Sequence, residues 1–257
     1  MNKLVVINAC VRQADSRTLR IAEPLISALG ERYEITRYDL PEMEGVVPLT
    51  PAVWNWWRTG KMIIRDARPG DATFLAKCIM SGMHLYDFEE HPSDHLAGIL
   101  SGLTACETLE DTLYTFMNTR VAELNGTPAG ALLSYPGEEY LVRRERTFRE
   151  FWPEYFSEYA SDDPETDPGE WYLDSLAVIP EYRRLGIGKA LLEDGIRKGL
   201  SQGFNRVALV ADPEYPHLVR LYKSLGFAPD GTRHAFGTDF LRMVLQTDGR
   251  GQECFIQ

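Results

Sequence analysis

A chain of 257 residues, 44% hydrophobic and 25% charged, has the composition of a globular protein that can bury one large core or two small ones. Its formal charge of −11 argues against nonspecific nucleic-acid binding and against docking on anionic membranes, and it suits a cationic substrate. Cys10, Cys78, Cys106 and Cys254 lack C-x-x-C spacing, and no apolar stretch reaches the length of a signal peptide or a membrane span. A reduced cytoplasmic compartment is the simplest reading.

Leu4–Ile7 reads as a parallel strand buried on both faces. Thr18–Leu29 has a helical apolar face with Gly30 as its stop, and Tyr33–Tyr38 reads as a second strand. With Asn8-Ala9, Arg12, Ser16, Arg17 and Thr18 in the intervening loop and Asp39-Leu40-Pro41 beyond, this β-α-β opening resembles the N-terminus of the flavodoxin-like quinone and flavin reductases. The later strands of such a domain are missing after Pro51, so flavin mononucleotide (FMN) is not expected as a ligand. Residues 1–60 are read as a truncated module serving packing or dimerisation. A lone parallel pair and the cluster Trp54-Asn55-Trp56-Trp57 need cover, which predicts a homodimer.

From Lys61 the pattern changes. Met62–Arg65 is a strand, Arg68–Asp71 a turn whose Asp71 caps a helix over Ala72–Met83, and Ser93 caps a second helix to about Ala105. Thr115–Leu124 and Pro128–Ser134 read as strands joined by the hairpin signal Asn125-Gly126. A helix is expected over Glu139–Phe151, then the acidic stretch Glu154–Glu170, then a central strand, Trp171–Val178. Helix Ile187–Gly199, strand Val207–Ala211, helix Tyr215–Leu225 and a closing hairpin (Phe227–Arg233 with Phe240–Leu245) follow, with a loose tail at 248–257.

The stretch Ser175–Ala190 carries the most chemistry. An apolar strand is stopped by Pro180, Arg183 and Arg184 follow, and Gly186 and Gly188 bracket one residue at the start of an amphipathic helix. Glycines there let backbone N–H groups approach a ligand, and the helix start and nearby arginines favour an anion, best a pyrophosphate. Arg183-x-x-Gly186-x-Gly188, the preceding triplet Leu176-Ala177-Val178, and Leu221-Tyr222-Lys223-Ser224-Leu225-Gly226-Phe227 further on resemble three motifs of the GNAT N-acetyltransferase family, in its order.

The resemblance covers about 61–247 and implies an α/β (α+β) fold with a mixed, mostly antiparallel sheet splayed between two parallel strands, preceded here by the flavodoxin-like fragment. It implies acetyl-CoA as cosubstrate. Pantetheine would pair with the backbone of Leu176 and Val178 beside Ala177. Main-chain groups of Arg184, Leu185, Gly186, Ile187, Gly188, Lys189 and Ala190 would hold the pyrophosphate, with Arg183 and Lys189 as charge partners. Tyr222 matches the family tyrosine that protonates the leaving thiolate in many members. The family often has Asn seven and Ala four residues before that tyrosine, where this chain has Tyr215 and Leu218.

For the general base, Glu170 and Asp174 share one strand face with Tyr172 by the period of two. Either could instead make a structural bond. The acceptor would be a primary amine of a small molecule or peptide. The acidic stretch (Glu154, Glu158, Asp162, Asp163, Glu165, Asp167, Glu170), flanked by Trp152, Tyr155, Phe156 and Tyr159, reads as a solvated loop or as an attractor of cationic acceptors. His91, Asp94 and His95 enclose Pro92, and no metal is expected. His217 reads equally as cleft lining or surface. The alternative to a transferase is an acyl-CoA- or flavin-binding regulatory module.

Overall fold

The computed structural model describes residues 2–8, 22, 24, 26–29, 33–39, 62–83, 93–158 and 161–247. The expectations for Ser16, Thr18, Trp54–Trp57, His91, Cys10, Cys254 and the tail lie outside them. The chain divides into two compact units, Met1–Lys61 with Pro180–Leu185, and Met62–Ile179 with Gly186–Gln257.

In the first unit β1 (Asn2–Asn8) pairs in parallel with β2 (Tyr33–Asp39), Leu4 opposite Ile35. A parallel pair cannot be closed by a tight turn, and residues 26–29 of the connection are helical. Pro180–Tyr182 forms a 3-10 turn, in which Arg183 N–H donates to the Pro180 carbonyl at 3.2 Å.

The second unit is a seven-stranded sheet in the order β3-β4-β5-β6-β7-β9-β8. Its strands are β3 (Met62–Asp66), β4 (Thr119–Leu124), β5 (Thr127–Pro136), β6 (Trp171–Val178), β7 (Arg206–Ala211), β8 (Ala228–Ala235) and β9 (Thr238–Gln246). Every pairing is antiparallel except β6 with β7. Asn125 and Gly126 adopt φ of 54° and 83°, the two left-handed positions that a type I′ turn needs to join β4 to β5.

Helix α1 (Ala72–Gly82) packs on β5, β6 and α2 (Asp94–Glu107). The core on this face joins Ile79 and Met80, Leu103 and Cys106, and Leu133, Tyr135 and Tyr172. After α3 (Tyr140–Phe151) and α4 (Pro153–Glu158), helix α5 (Ile187–Ser201) covers the other face across β4, β5 and β6. Gly195 and Gly199 permit that approach. A Cβ on Gly199 would sit 2.4 Å from the Trp171 ring, and one on Gly195 would sit 2.5 Å from Leu132. Helix α6 (Pro216–Ser224) leads into the closing hairpin.

Ser93 caps α2 as expected, its hydroxyl accepting from Leu96 N–H at 3.2 Å. Asp71 does not cap α1. Its carboxylate accepts from Arg68 N–H at 2.7 Å and from the Arg65 guanidinium at 2.7 and 2.9 Å, because an adjacent arginine fork outcompetes a helix N–H.

The acidic stretch is not a solvated loop either. Glu158 ends α4. Asp162 accepts from Phe236 N–H at 2.7 Å, Asp163 from His234 N–H at 2.9 Å, and Asp167 from Arg233 at 2.7 Å. Glu165 and Glu170 turn inward. Arginines and backbone donors of the closing hairpin and phenols of the core supply the partners that water would give an exposed loop.

Candidate active site

Two features of β6 build the site. The first is divergence. Only Trp171 and Tyr172 pair with β7, opposite Val207 and Ala208, so from Leu173 onward the two parallel strands part. The second is a bulge. Leu132 pairs with Leu176 and Ser134 with Leu173, so one residue of β5, Leu133, faces two residues of β6, Asp174 and Ser175. An extra residue breaks the alternation and re-aims side chains. Asp174 therefore meets Tyr135 on the α1 face, and Ser175 also lies against α1, its Oγ 3.8 Å from where a Gly82 Cβ would stand. Leu176 and Val178 come out on the α5 face, about 3.8 and 3.7 Å from a Cβ built on Gly188.

At the bulge the phenols and carboxylates form one cluster. Tyr135 OH donates to Asp174 Oδ2 at 2.5 Å and Ser175 Oγ to Asp174 Oδ1 at 2.8 Å. Tyr172 OH donates to Glu165 Oε2 at 2.5 Å and Tyr140 OH to Glu165 Oε1 at 3.1 Å. Both acids are half-buried, whereas the three tyrosines are 2% exposed or less. The rings pack edge-on, with Tyr135 and Tyr172 centroids 5.7 Å apart.

Burial and then the Asp174 charge raise the Glu165 pKa to about 7, against the opposing bonds from Tyr172 and Tyr140. Burial likewise raises Asp174, opposed by the Tyr135 and Ser175 hydroxyls. Two carboxyls this close do not ionise independently, and each holds a proton more firmly than an ordinary carboxylate does.

Sequence reasoning singled out Asp174 and missed the role of Glu165. The signal was indirect. Tyr135, Tyr140 and Tyr172 fall on core positions, and buried phenols require acceptors; β6 supplies one to Tyr135 through Asp174, so Tyr140 and Tyr172 need one from elsewhere in the chain.

Glu170 belongs elsewhere. It is 2% exposed and accepts from Arg242, from Arg206 Nε at 3.2 Å, from Asp167 N–H at 3.0 Å and from Thr166 Oγ1 at 3.2 Å. Burial alone would raise its pKa, but the bonds from Arg242, the Asp167 N–H and Arg206 outweigh it and hold the pKa low. A carboxylate so neutralised is a poor proton acceptor, and four residues of strand separate it from Asp174 by about 13 Å. Its bonds join β6 to the closing hairpin and to β7.

The glycine loop enters α5 through Gly186, at φ 81° and without a side-chain cap on the helix. Ile187 is buried, Gly188 lies beside Leu176 and Val178, and Lys189 reaches Glu193 at 3.6 Å. Ala190 N–H donates to the Gly186 carbonyl at 3.0 Å. Arg183 and Arg184 are exposed, and Arg184 adopts φ 63°, a left-handed turn rare for a residue with a Cβ.

Tyr222 on α6 is 8% exposed, and its ring lies edge-on to Phe227 at 6.3 Å. Burial pushes its phenol up to about 12. His217 is exposed against Tyr215, and His95 meets the Tyr155 hydroxyl at 3.2 Å. Among the described residues there is no cluster with metal-ligand character and no helix long and apolar enough to cross a membrane.

Comparison with known proteins agrees with this arrangement. An acetyltransferase crystal structure aligns with 72% of this chain and 100% of its own length, at 25% identity and a TM-score of 0.59. An N-acetyltransferase from Staphylococcus aureus Mu50 aligns with 71% of this chain and 99% of its own, at 23% identity and a TM-score of 0.59, and shows the shared fold. A mycothiol acetyltransferase from Paenarthrobacter aurescens (strain TC1) is 39% identical over 69 residues, 27% of this chain and 21% of that relative's length. The match therefore spans about a fifth of that relative. The profile of the Acetyltransferase (GNAT) family matches residues 83–227, more than half of the sequence and the whole of the bulge, the glycine loop and α6. The chain belongs to the acetyltransferase (GNAT) family.

Proposed function

We propose that the chain moves an acetyl group from acetyl-CoA to a primary amine of a small molecule or peptide, by direct attack within a ternary complex. The observation that carries this reading is the coupled acid pair Asp174–Glu165, half-buried at the bulge where β6 parts from β7 and directly before Leu176.

An amine must lose a proton before it can attack, and an acceptor poised near neutral pH does this best. The pair takes the ammonium proton through Asp174, with Glu165 sharing the charge behind it. The free amine attacks the thioester carbonyl, the C–S bond breaks, and the thiolate takes a proton from Tyr222, which is fully protonated at neutral pH; the second proton of the former ammonium nitrogen leaves as the amide forms and restores the Tyr222 phenol through solvent. Backbone groups of Leu176 and Val178 receive pantetheine. Main-chain N–H groups of Arg184–Ala190 take the pyrophosphate, with Arg183 and Lys189 lending charge. Negative charge at Asp174 and Glu165 favours a cationic acceptor.

Titration calorimetry with acetyl-CoA, followed by a panel of amines read by thiol release, tests the proposal. The panel includes polyamines, aminoglycosides, lysine peptides and the acceptor of mycothiol acetyltransferase. Binding with amine-dependent release is the expected result. Acetyl-CoA binding without release for any amine would point instead to an acyl-CoA-sensing module.

A further inference from the structure

Glu107, the last residue of α2, is fully buried, and neither carboxyl oxygen has a partner among the described residues. It lines a small cavity together with Cys78 and Ile79 of α1, Thr119 of β4, Leu133 of β5 and Ser175 of β6. The cavity has room for about one water molecule.

Ser175 links this cavity to the acid pair. Its hydroxyl proton is already committed to Asp174 Oδ1 at 2.8 Å, so its oxygen remains free to accept. Burial raises the Glu107 pKa well above the usual carboxylate range and favours its protonated form. A protonated carboxyl carries one donor that must find an acceptor.

We propose that one water in this cavity accepts from the Glu107 carboxyl and donates to Ser175 Oγ, making Glu107 a positioning residue for Asp174. The donors then run in one direction, Glu107 to water to Ser175 to the Asp174 carboxylate, and each polarises the next. The chain favours the ionised form of Asp174, the form that accepts the substrate proton, so this inference rests on the assignment of Asp174 as base. Other groups face the same two carboxyls. Around Asp174 stand Tyr135, Tyr172, Tyr114, Tyr140 and Glu165, with Arg144 of α3 acting on Glu165, Tyr114 and Tyr140. Around Glu107 stand the thiols of Cys78 and Cys106.

Two measurements on the full chain test it. Infrared difference spectroscopy of wild type and Glu107→Gln isolates the Glu107 carbonyl stretch. That band should report a protonated, hydrogen-bonded carboxyl at neutral pH and should shift in Ser175→Ala and on exchange into D₂O. An ionised band, or one indifferent to Ser175→Ala, overturns the water bridge, and this arm needs no enzymatic activity.

The second measurement is the pH profile of kcat/KM. Glu107→Leu should move the acidic limb up by about half a pH unit, roughly threefold in rate on the acid side. Ser175→Ala should move it up by about one unit or more. Glu107→Gln, which keeps a donor and an acceptor, should leave the limb in place, and Glu107→Leu should add nothing in a Ser175→Ala background. An unmoved limb in an active Glu107→Leu protein defeats the proposal. If that variant does not fold, the Ser175→Ala limb and the infrared band decide. A wild-type protein without transferase activity but with the shifted band would sink the catalytic reading and leave the bridge standing.

Discussion

Tyr222 and Asp174 divide the proton chemistry of the proposed reaction, and their environments set which end each serves. A phenol held near 12 by burial keeps its proton throughout the physiological range, so it can only give one, and only when a basic thiolate forms beside it. Burial raises the Asp174 carboxyl, and Glu165 beside it to about 7, so the pair can take a proton that an ordinary carboxylate would refuse. Tyr222→Phe should therefore lower kcat by about 10²-fold, with the Kd for acetyl-CoA changed less than about threefold, because general acid catalysis is worth roughly that factor and the ring still packs on Phe227. Stopped-assay kinetics with calorimetry on the same variant checks the split. Equal losses in kcat and affinity would assign Tyr222 a packing role only. Asp174→Asn should abolish the acidic limb of kcat/KM, whereas Glu170→Gln should keep that limb, since Glu170 is already neutralised by Arg242 and Arg206.

At the scale of elements, what the sequence disclosed follows a physical rule: signals carried by neighbouring residues were legible and those carried by distant partners were not. Trp171–Val178 was read to the residue because an apolar run is closed by a proline just beyond it. The β4–β5 hairpin was read from Asn125-Gly126, and the entry to α5 from Gly186 and Gly188. Helix α4 was hidden by its acidic, aromatic composition. The inward turn of 162–170 depends on Arg206, Arg233 and Arg242, which lie 36 to 75 residues away in sequence. The β6 bulge leaves no mark in composition, yet it turns both Asp174 and Ser175 toward α1. Helix packing gives a paired prediction. Gly199→Ala drives a methyl into the Trp171 ring under α5 and should destabilise by about 1–3 kcal/mol. Gly98→Ala, on an exposed turn of α2 with nothing within 4 Å, should stabilise by about 0.5–1 kcal/mol. Urea denaturation of both variants measures the contrast, and equal effects would mean that α5 does not rest on Trp171 as described.

For the whole molecule, the carboxylates pull stability in opposite directions along the pH scale. Asp71 and Asp66 are lowered by the guanidinium bonds of Arg65 and Arg120, and Glu170 by Arg242 against its burial. Their stabilisation is complete above the unfolded carboxylate pKa and is lost as pH falls through the folded one. Glu165, Asp174 and Glu107 are raised by burial, so their contribution is complete below the unfolded pKa and is lost as pH rises through the folded value. With Glu165 moving from 4.5 to about 7, the window of loss runs from about pH 4.5 to about pH 7 and amounts to roughly 3 kcal/mol at most. Glu165→Gln removes that loss and also relieves Asp174 of a like charge, while its amide still accepts from Tyr140 or Tyr172. The variant should thus gain on wild type by up to about 3 kcal/mol as pH rises from about 4.5 to about 7, read as the difference of two urea-denaturation series. Parallel curves across that window would mean that Glu165 ionises as freely in the folded chain as in the unfolded one, and the acid pair would then have no proton to trade near neutral pH.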